Sequence, residues 1–263
     1  MLDLATRQKI VEDIESTFKT RQPLPLLTKT YPEISVEDAY AIQDSYIKRR
    51  LAEGRSVRGY KVGLTSKVMQ ETMGGSEPDF SAMTDDLFLP EDTEIEASNF
   101  FRPMIEIEIA FLMKDHLKGP GILPQDVIRA TEYVLPSIEI VDFRVGPAQG
   151  MTIADTVADM AACGATILGA NPRRLDSLDL RNVRGELIIN DQVVQEGFAS
   201  AVLGHPVNSI AWLANKLGSF GVTFEPGQVI LSGSFVRAIP IKAGDKVVAR
   251  FDQGLGDVIC QFV

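Results

Sequence analysis

The stretch "RPMIEIEIAFLM", Arg102 to Met113, alternates so strictly that it reads as a β-strand. On a strand, side chains two residues apart share a face. Glu106 and Glu108 therefore point one way, while Ile105, Ile107 and Ile109 point the other. A solvated edge strand is the plain explanation of such a pair, and two features weigh against it. The strand closes on Ala110, Phe111, Leu112 and Met113, which implies burial of both faces. A second run, "PSIEIVDF" (Pro136 to Phe143), repeats the device with Glu139 between Ile138 and Ile140. Three carboxylates set into apolar strands repel one another and are expensive to desolvate unless a cation lies between them. Hard oxygen donors in that number suit Mg²⁺ or Mn²⁺, with positions left for water and substrate.

The totals agree with an enzyme-sized body. With 263 residues, 45% of them hydrophobic, the chain can bury a full core as one domain. A formal net charge of -10 repels polyanions and excludes a basic stripe for nucleic acid. Cys163 and Cys260 lie far apart and outside any CxxC spacing, so they read as small buried residues of a reducing compartment. The N-terminus lacks an apolar signal-like run, and no stretch approaches a membrane span. A soluble, cytoplasmic protein is the expectation.

Working outward, the chain before the glutamates reads helical. "TRQKIVEDIESTFKTRQ" has apolar residues at helical spacing, and "SVEDAYAIQDSYIKRRLAEG" opens with Ser35 and Asp38 in capping-box positions and closes at Gly54. From Val57 the texture changes to short β-type runs: "GYKVGLT", "GELIINDQVVQEG", "QVILSGSFVRAIPI" and "KVVARFDQGLGDVICQFV". Helices interrupt at "LPQDVIRATEYVL" and at "HPVNSIAWLANKLGSFG", with Pro206 near the start of the second. This is not a regular βαβαβ alternation. The expected fold is α+β, a mixed β-roll or barrel-like sheet, in a single domain spanning 1–263: a helical N-terminal region (1–56) and a β-rich catalytic body (57–263).

The motifs "YPEISVEDAYAIQ", "GYKVGLTSKVMQ", "EPDF", "RPMIEIEIAFLM", "SIEIVDFRV", "DTVAD", "VLGHP", "AWLANKL" and "LSGSFVRAIPIKAGD" occur in order from about Tyr31 to Val263. Together they resemble the 2-oxo-4-pentenoate hydratase and 4-oxalocrotonate decarboxylase group of the fumarylacetoacetate hydrolase superfamily. "SGSFVRAIP" and "LTSKVMQ" look most like hydratases of the 2-oxohept-4-ene-1,7-dioate and 2-hydroxyhexa-2,4-dienoate types. The resemblance implies the superfamily's rolled sheet with flanking helices, Mg²⁺ or Mn²⁺ as cofactor, a small 2-oxo acid as substrate in the meta-cleavage of aromatic compounds, and a homo-oligomer, complexed in some members with a sister hydratase or decarboxylase.

By the same resemblance, Glu106, Glu108 and Glu139 are the metal ligands, in agreement with the charge argument. Lys61 in "GYKVG" and Asp79 in "EPDF" match the group's active-site lysine and acidic residue. Read from the residues alone, the alternative for Lys61 is a lysine snorkelling from a strand end, but Tyr60, Val62 and two glycines around it favour a side chain aimed into a cleft, whereas composition favours a turn aspartate after proline for Asp79. Ser234 and Arg237 of "SGSFVRAIP" are candidates for the substrate carboxylates, Arg237 through its bidentate geometry, although an alternating strand would also turn it to solvent. His205 in "LGHP" is either a substrate contact or a helix-entry histidine. A hydratase would protonate a dienol at C5 and add water at C4, leaving a 4-hydroxy-2-oxo acid; a decarboxylase would release CO₂ from a second carboxylate. Where the group reads "DTVADNAS" or a close variant, this chain has "DTVADMAAC", so Met160 and Ala162 replace polar residues. That departure leaves open a third reading, a non-catalytic partner subunit.

Overall fold

A computed structural model describes residues 1–147 and 149–263, with the backbone alone at Val68, which falls within the "LTSKVMQ" stretch. Its N-terminal layer is built from α1 (Leu4–Thr20), the single turn α2 (Leu27–Thr30) and α3 (Val36–Ala52). The expected capping box is present: Ser35 Oγ accepts from the Asp38 amide at 3.1 Å, and Asp38 Oδ2 accepts from the Ser35 amide at 3.2 Å. Ile10, Val11 and Ile14 of α1 meet Ala39 and Ile42 of α3 in a cluster of their own.

The rest of the chain runs β1 (Val57–Gly63), α4 (Lys67–Thr72), β2 (Asp79–Thr84), β3 (Phe88–Leu89), β4 (Thr93–Ile95), β5 (Met104–Met113), α5 (Pro124–Ala130) and β6 (Thr131–Val141). It continues through α6 (Ile153–Ala158), β7 (Cys163–Leu168), β8 (Arg184–Ile189), β9 (Gln192–Phe198), α7 (Pro206–Gly218), β10 (Val229–Leu231), β11 (Ile239–Pro240), β12 (Lys246–Phe251) and β13 (Gly256–Phe262). Among the described residues these strands make two sheets. The larger is eight-stranded, in the order β2-β1-β10-β5-β6-β7-β3 with β11 added on β5, and the smaller is β4-β13-β12-β8-β9. Most pairs are antiparallel, with β1/β10, β3/β7 and β13/β4 parallel, so the sheet is mixed and not doubly wound. The β8–β9 hairpin turns at Asn190 and Asp191, both at positive φ, as a two-residue turn of this hand requires.

The large sheet has two faces of opposite character. One carries Val62, Ile105, Ile107, Ile109, Phe111, Ile138, Ile140 and Ile167 against Leu187, Val247, Ala249, Val258 and Phe262 of the small sheet, forming the main core. Each fully buried isoleucine there contributes about 1.5–3 kcal/mol relative to exposure. The other face carries the glutamates and is closed by α6, every residue of which is buried, packing on α3 and β2.

Three expectations shift. The run at Leu123–Leu135 is helical only to Ala130; Thr131, Tyr133 and Val134 then continue directly into β6, because their β-branched and aromatic side chains pair with β5. The stretch at Gln228–Ile241 is not one strand: residues 232–238 form a loop, since Gly233 at φ +100° breaks the extended backbone. Strands β2 and β7 and helix α6 carry no strong periodicity and emerge only in the structure.

Candidate active site

The antiparallel register of β5 and β6 sets Glu106 opposite Glu139 and Glu108 opposite Ser137. One carboxylate oxygen from each of Glu106, Glu108 and Glu139 lies within 4.8 Å of the others, a spacing that suits a shared metal ion. Glu108 and Glu139 are fully buried, and Glu106 keeps some contact with solvent. Like charges directly across a strand pair destabilise each other. Burial first, and the Glu139 charge next, push the Glu106 carboxyl up to about 8. The same two causes raise Glu108 well above the ordinary carboxylate range.

Glu108 Oε2 accepts a hydrogen bond from the Gly233 amide at 2.8 Å, while Glu108 Oε1 and both Glu139 oxygens have no hydrogen-bond partner among the described residues. Buried acceptors left in this condition are strongly unfavourable unless something else satisfies them. An all-oxygen donor set with free lone pairs fits a hard divalent cation, which the three glutamates could hold.

Lys61 stands in the middle of β1, opposite Ser81 on β2 and Leu231 on β10, with its side chain 5% exposed. It is therefore not a snorkelling surface lysine. Its Nζ lies 3.3 Å from Glu139 Oε1, an ion-pair contact. Burial alone would lower the ammonium, but Glu139 and then Asp79 outweigh it and hold Lys61 above its ordinary value. Asp79 opens β2 opposite Gly63 and is likewise buried, not a turn residue at the surface. Burial pushes its carboxyl up to about 6, with Lys61 opposing and Glu139 adding to the shift. Gly63 is what allows the two to meet, because a Cβ there would run into the Asp79 carboxylate and stand 3.1 Å from Lys61 Nζ. Four carboxylates share this face with one ammonium, so positive charge is in deficit even after Lys61 is counted.

The other sequence candidates are placed differently. The Ser234 hydroxyl is engaged by the backbone: it lies 2.9 Å from the Val236 carbonyl and 3.2 Å from the Ile107 carbonyl, and accepts from the Val236 amide. Arg237 is exposed and makes no hydrogen bond or ion pair among the described residues. His205 caps α7, its Nδ1 accepting from the Val207 amide at 3.2 Å. Burial first, then Arg181, lower the His205 pKa, and its charged neighbours are Arg181 and Asp179 rather than the glutamates. Both cysteines are buried and free, as expected.

Several contributors lie inside the quoted motifs, yet the sequence assigns them no role of their own. Gly233 supplies the amide on Glu108 from a left-handed position that Thr65 packs against so tightly that a Cβ would overlap it. Thr156 of α6, whose hydroxyl donates to the Ile153 carbonyl at 3.0 Å, works against the upward shift of Asp79. The most hidden is a buried ion pair, Arg144 with Asp159, which precedes the departures at Met160 and Ala162. Met160, Ala161 and Ala162 are themselves buried and left-handed, a conformation that disfavours L residues by about 1–2 kcal/mol each.

Comparison with known proteins places this geometry among relatives. The family model described as "Fumarylacetoacetate (FAA) hydrolase C-terminal" matches residues 64–263. The 2-oxo-hept-4-ene-1,7-dioate hydratase of Escherichia coli is 39% identical over 268 residues, covering 100% of both chains. The 2-hydroxyhexa-2,4-dienoate hydratase of Comamonas testosteroni is 41% identical over 260 residues, covering 97% of this chain and 95% of its own. Among solved structures, the 4-oxalocrotonate decarboxylase of Pseudomonas putida G7, complexed with magnesium and adipate, superimposes with a TM-score of 0.95 at 33% identity over 100% of this chain and 99% of its own. No helix among the described residues is long and apolar enough to cross a membrane.

Proposed function

The chain belongs to the fumarylacetoacetate hydrolase family, and from that premise we propose that it is a metal-dependent hydratase adding water to a 2-hydroxy-2,4-dienoate, giving a 4-hydroxy-2-oxo acid in the meta-cleavage of aromatic compounds. The observation that carries this is the cluster of Glu106, Glu108 and Glu139, in which Glu108 Oε1 and both Glu139 oxygens are buried and accept no hydrogen bond, with Lys61 as the one ammonium beside them. These residues would hold Mg²⁺ or Mn²⁺, and a magnesium complex is described for the decarboxylase relative. Bound there, a divalent cation supplies Lewis acidity toward the carboxylate and C2 oxygen of a 2-oxo acid.

The chain's own residues account for the remaining chemistry. Lys61 and Asp79 would move protons at C5 and guide water to C4, a reading supported by their position on either side of Gly63 on the glutamate side of the sheet. Residues from β1, β2, β5, β6 and α6 enclose them, and that enclosure keeps bulk water from the dienol. Arg237, exposed in the 232–238 loop whose Gly233 amide meets Glu108, is the residue proposed for a distal carboxylate, which favours dicarboxylic dienoates. Ser234 and His205 are proposed as substrate contacts on resemblance alone.

A second reading, a 4-oxalocrotonate decarboxylase, is favoured by the TM-score of 0.95 to that enzyme. Mass spectrometry of the products decides between them when the Mg²⁺-loaded protein meets mono- and dicarboxylic 2-hydroxydienoates and 4-oxalocrotonate. Gain of water establishes the hydratase, loss of CO₂ the decarboxylase, and no change with any of them overturns both. We propose on resemblance alone that the enzyme is a cytoplasmic homo-oligomer, for which sedimentation velocity is the test.

A further inference from the structure

Met160, Ala161 and Ala162 follow one another at φ of 53°, 48° and 56°. None is glycine and all are buried; the turn closes on its own bonds, the Ala162 amide to the Asp159 carbonyl at 2.8 Å and the Cys163 amide to the Met160 carbonyl, and contacts from outside must add to these to hold three such residues against their preference. Close packing does not do so on one side, where a cavity of about 440 Å³ lies against Met160, Cys163 and Arg144. The Arg144 guanidinium does. Its Nη2 donates to the Asp159 carbonyl at 2.8 Å and its Nη1 to the Cys163 carbonyl at 2.9 Å, and these two carbonyls flank the left-handed residues. Asp159 reciprocates: Oδ1 accepts from Arg144 Nε, and Oδ2 accepts from the Arg144 and Val145 amides at 2.7 and 3.1 Å. The Ala162 carbonyl accepts from the Asp142 amide at 2.9 Å, so these bonds fasten the turn to the segment that follows β6.

The exit of this turn is the entry of β7. Cys163 stands opposite Val141, the pairing then shifts, and Ala165 faces Ile140 while Thr166 faces Glu139. Gly164 takes up the shift, because a Cβ there would press on the Ile140 carbonyl and on Asp142. Facing alternates with a period of two residues, so a slip of one would turn Thr166 away from Glu139 and bring a core residue in its place.

We propose that the Arg144–Asp159 pair is a positioning device, a clamp that holds residues 160–162 left-handed and thereby fixes the register of β7 beside the glutamate cluster. Its catalytic consequence rests on the metal-site reading above; the clamp itself does not.

The test is a cycle of the intact protein: wild type, Arg144→Lys, Ala161→Gly with Ala162→Gly, and the three changes together. Lysine keeps a positive charge near Asp159 but cannot donate to two separated carbonyls, and glycine takes up the left-handed conformation without a Cβ penalty. Urea midpoints of the metal-free proteins, Mn²⁺ affinity and kcat are measured. Arg144→Lys is expected to lower the midpoint, weaken Mn²⁺ about tenfold and reduce kcat about 10-fold to 100-fold, with the glycine pair restoring most of each loss. Equal losses with and without the glycine pair would overturn the proposal and leave a simple stabilising ion pair. If Arg144→Lys does not fold, recovery of folding by the glycine pair supports the clamp and continued failure refutes it. Should no member of the cycle convert any dienoate or bind Mn²⁺, the functional reading fails while the midpoints still decide the clamp.

Discussion

Two groups of buried charge lie in the same half of this molecule and are built on opposite terms. Around Arg144 and Asp159, the guanidinium nitrogens and both carboxylate oxygens have partners within the chain. Around Glu106, Glu108 and Glu139, three buried oxygens accept no hydrogen bond, one of them meets only the Lys61 ammonium at 3.3 Å, and that one lysine faces four carboxylates. A satisfied ion pair is internally complete and serves the architecture. An unsatisfied cluster is complete only with something the chain does not contain, which marks it as the place where a ligand acts.

The sharpest way to break this contrast is to remove a ligand. Glu108→Ala is expected to lower metal-dependent turnover at least about a thousandfold, while the metal-free midpoint falls little, because the carboxyl removed is one whose charged form burial and Glu139 both disfavour. Full turnover at limiting metal would show that Glu108 is not a ligand. Lys61→Ala comes next, with kcat lower by about 10²–10⁴ and Mn²⁺ affinity much less affected; a variant that loses only thermal stability would remove Lys61 from the chemistry.

The satisfied pair should respond first in stability, its effect on metal affinity and kcat being indirect. Asp159→Ala strands the Arg144 charge and is expected to destabilise the fold by about 3–5 kcal/mol, read from denaturant midpoints. A change below about 1 kcal/mol would place the pair among weak surface-like bridges.

The smallest effect is a slope with pH. Glu106 is held at about 8 in the metal-free fold, above the ordinary glutamate value of 4.5, so the unfolded chain gives up its proton first as pH rises. Metal-free stability should therefore be fully present below pH 4.5 with respect to this group and decline as pH rises toward 8. Saturating Mg²⁺ should flatten that decline, so the gain in Tm on adding metal grows with pH. A gain independent of pH would count against proton competition at the glutamates.

Much of the site was legible because it lies on strands. The alternation of Arg102–Met113 places the two glutamates on one face without any knowledge of partners, and both Ser35 with Asp38 and Pro206 mark helix starts by local chemistry. Strand β7 was not legible, since "CGATIL" is short and its pairing is governed by a left-handed turn that no side chain in the turn prefers. Nor was the loop in "LSGSFVRAIP", where Gly233 bends the backbone so that its amide reaches Glu108 from 125 residues away in sequence.

The sequence by itself determined which side chains share a face, because strand parity and helix capping follow from the stereochemistry of a few adjacent residues. Only the tertiary structure decided which faces meet. Glu106 stands across from Glu139, Lys61 reaches Glu139 from a third strand, and Arg144 spans a turn whose conformation its own residues resist. Those juxtapositions depend on which distant strands pair and in what register, and register is settled by burying the isoleucine face, a property of the whole core rather than of any one segment.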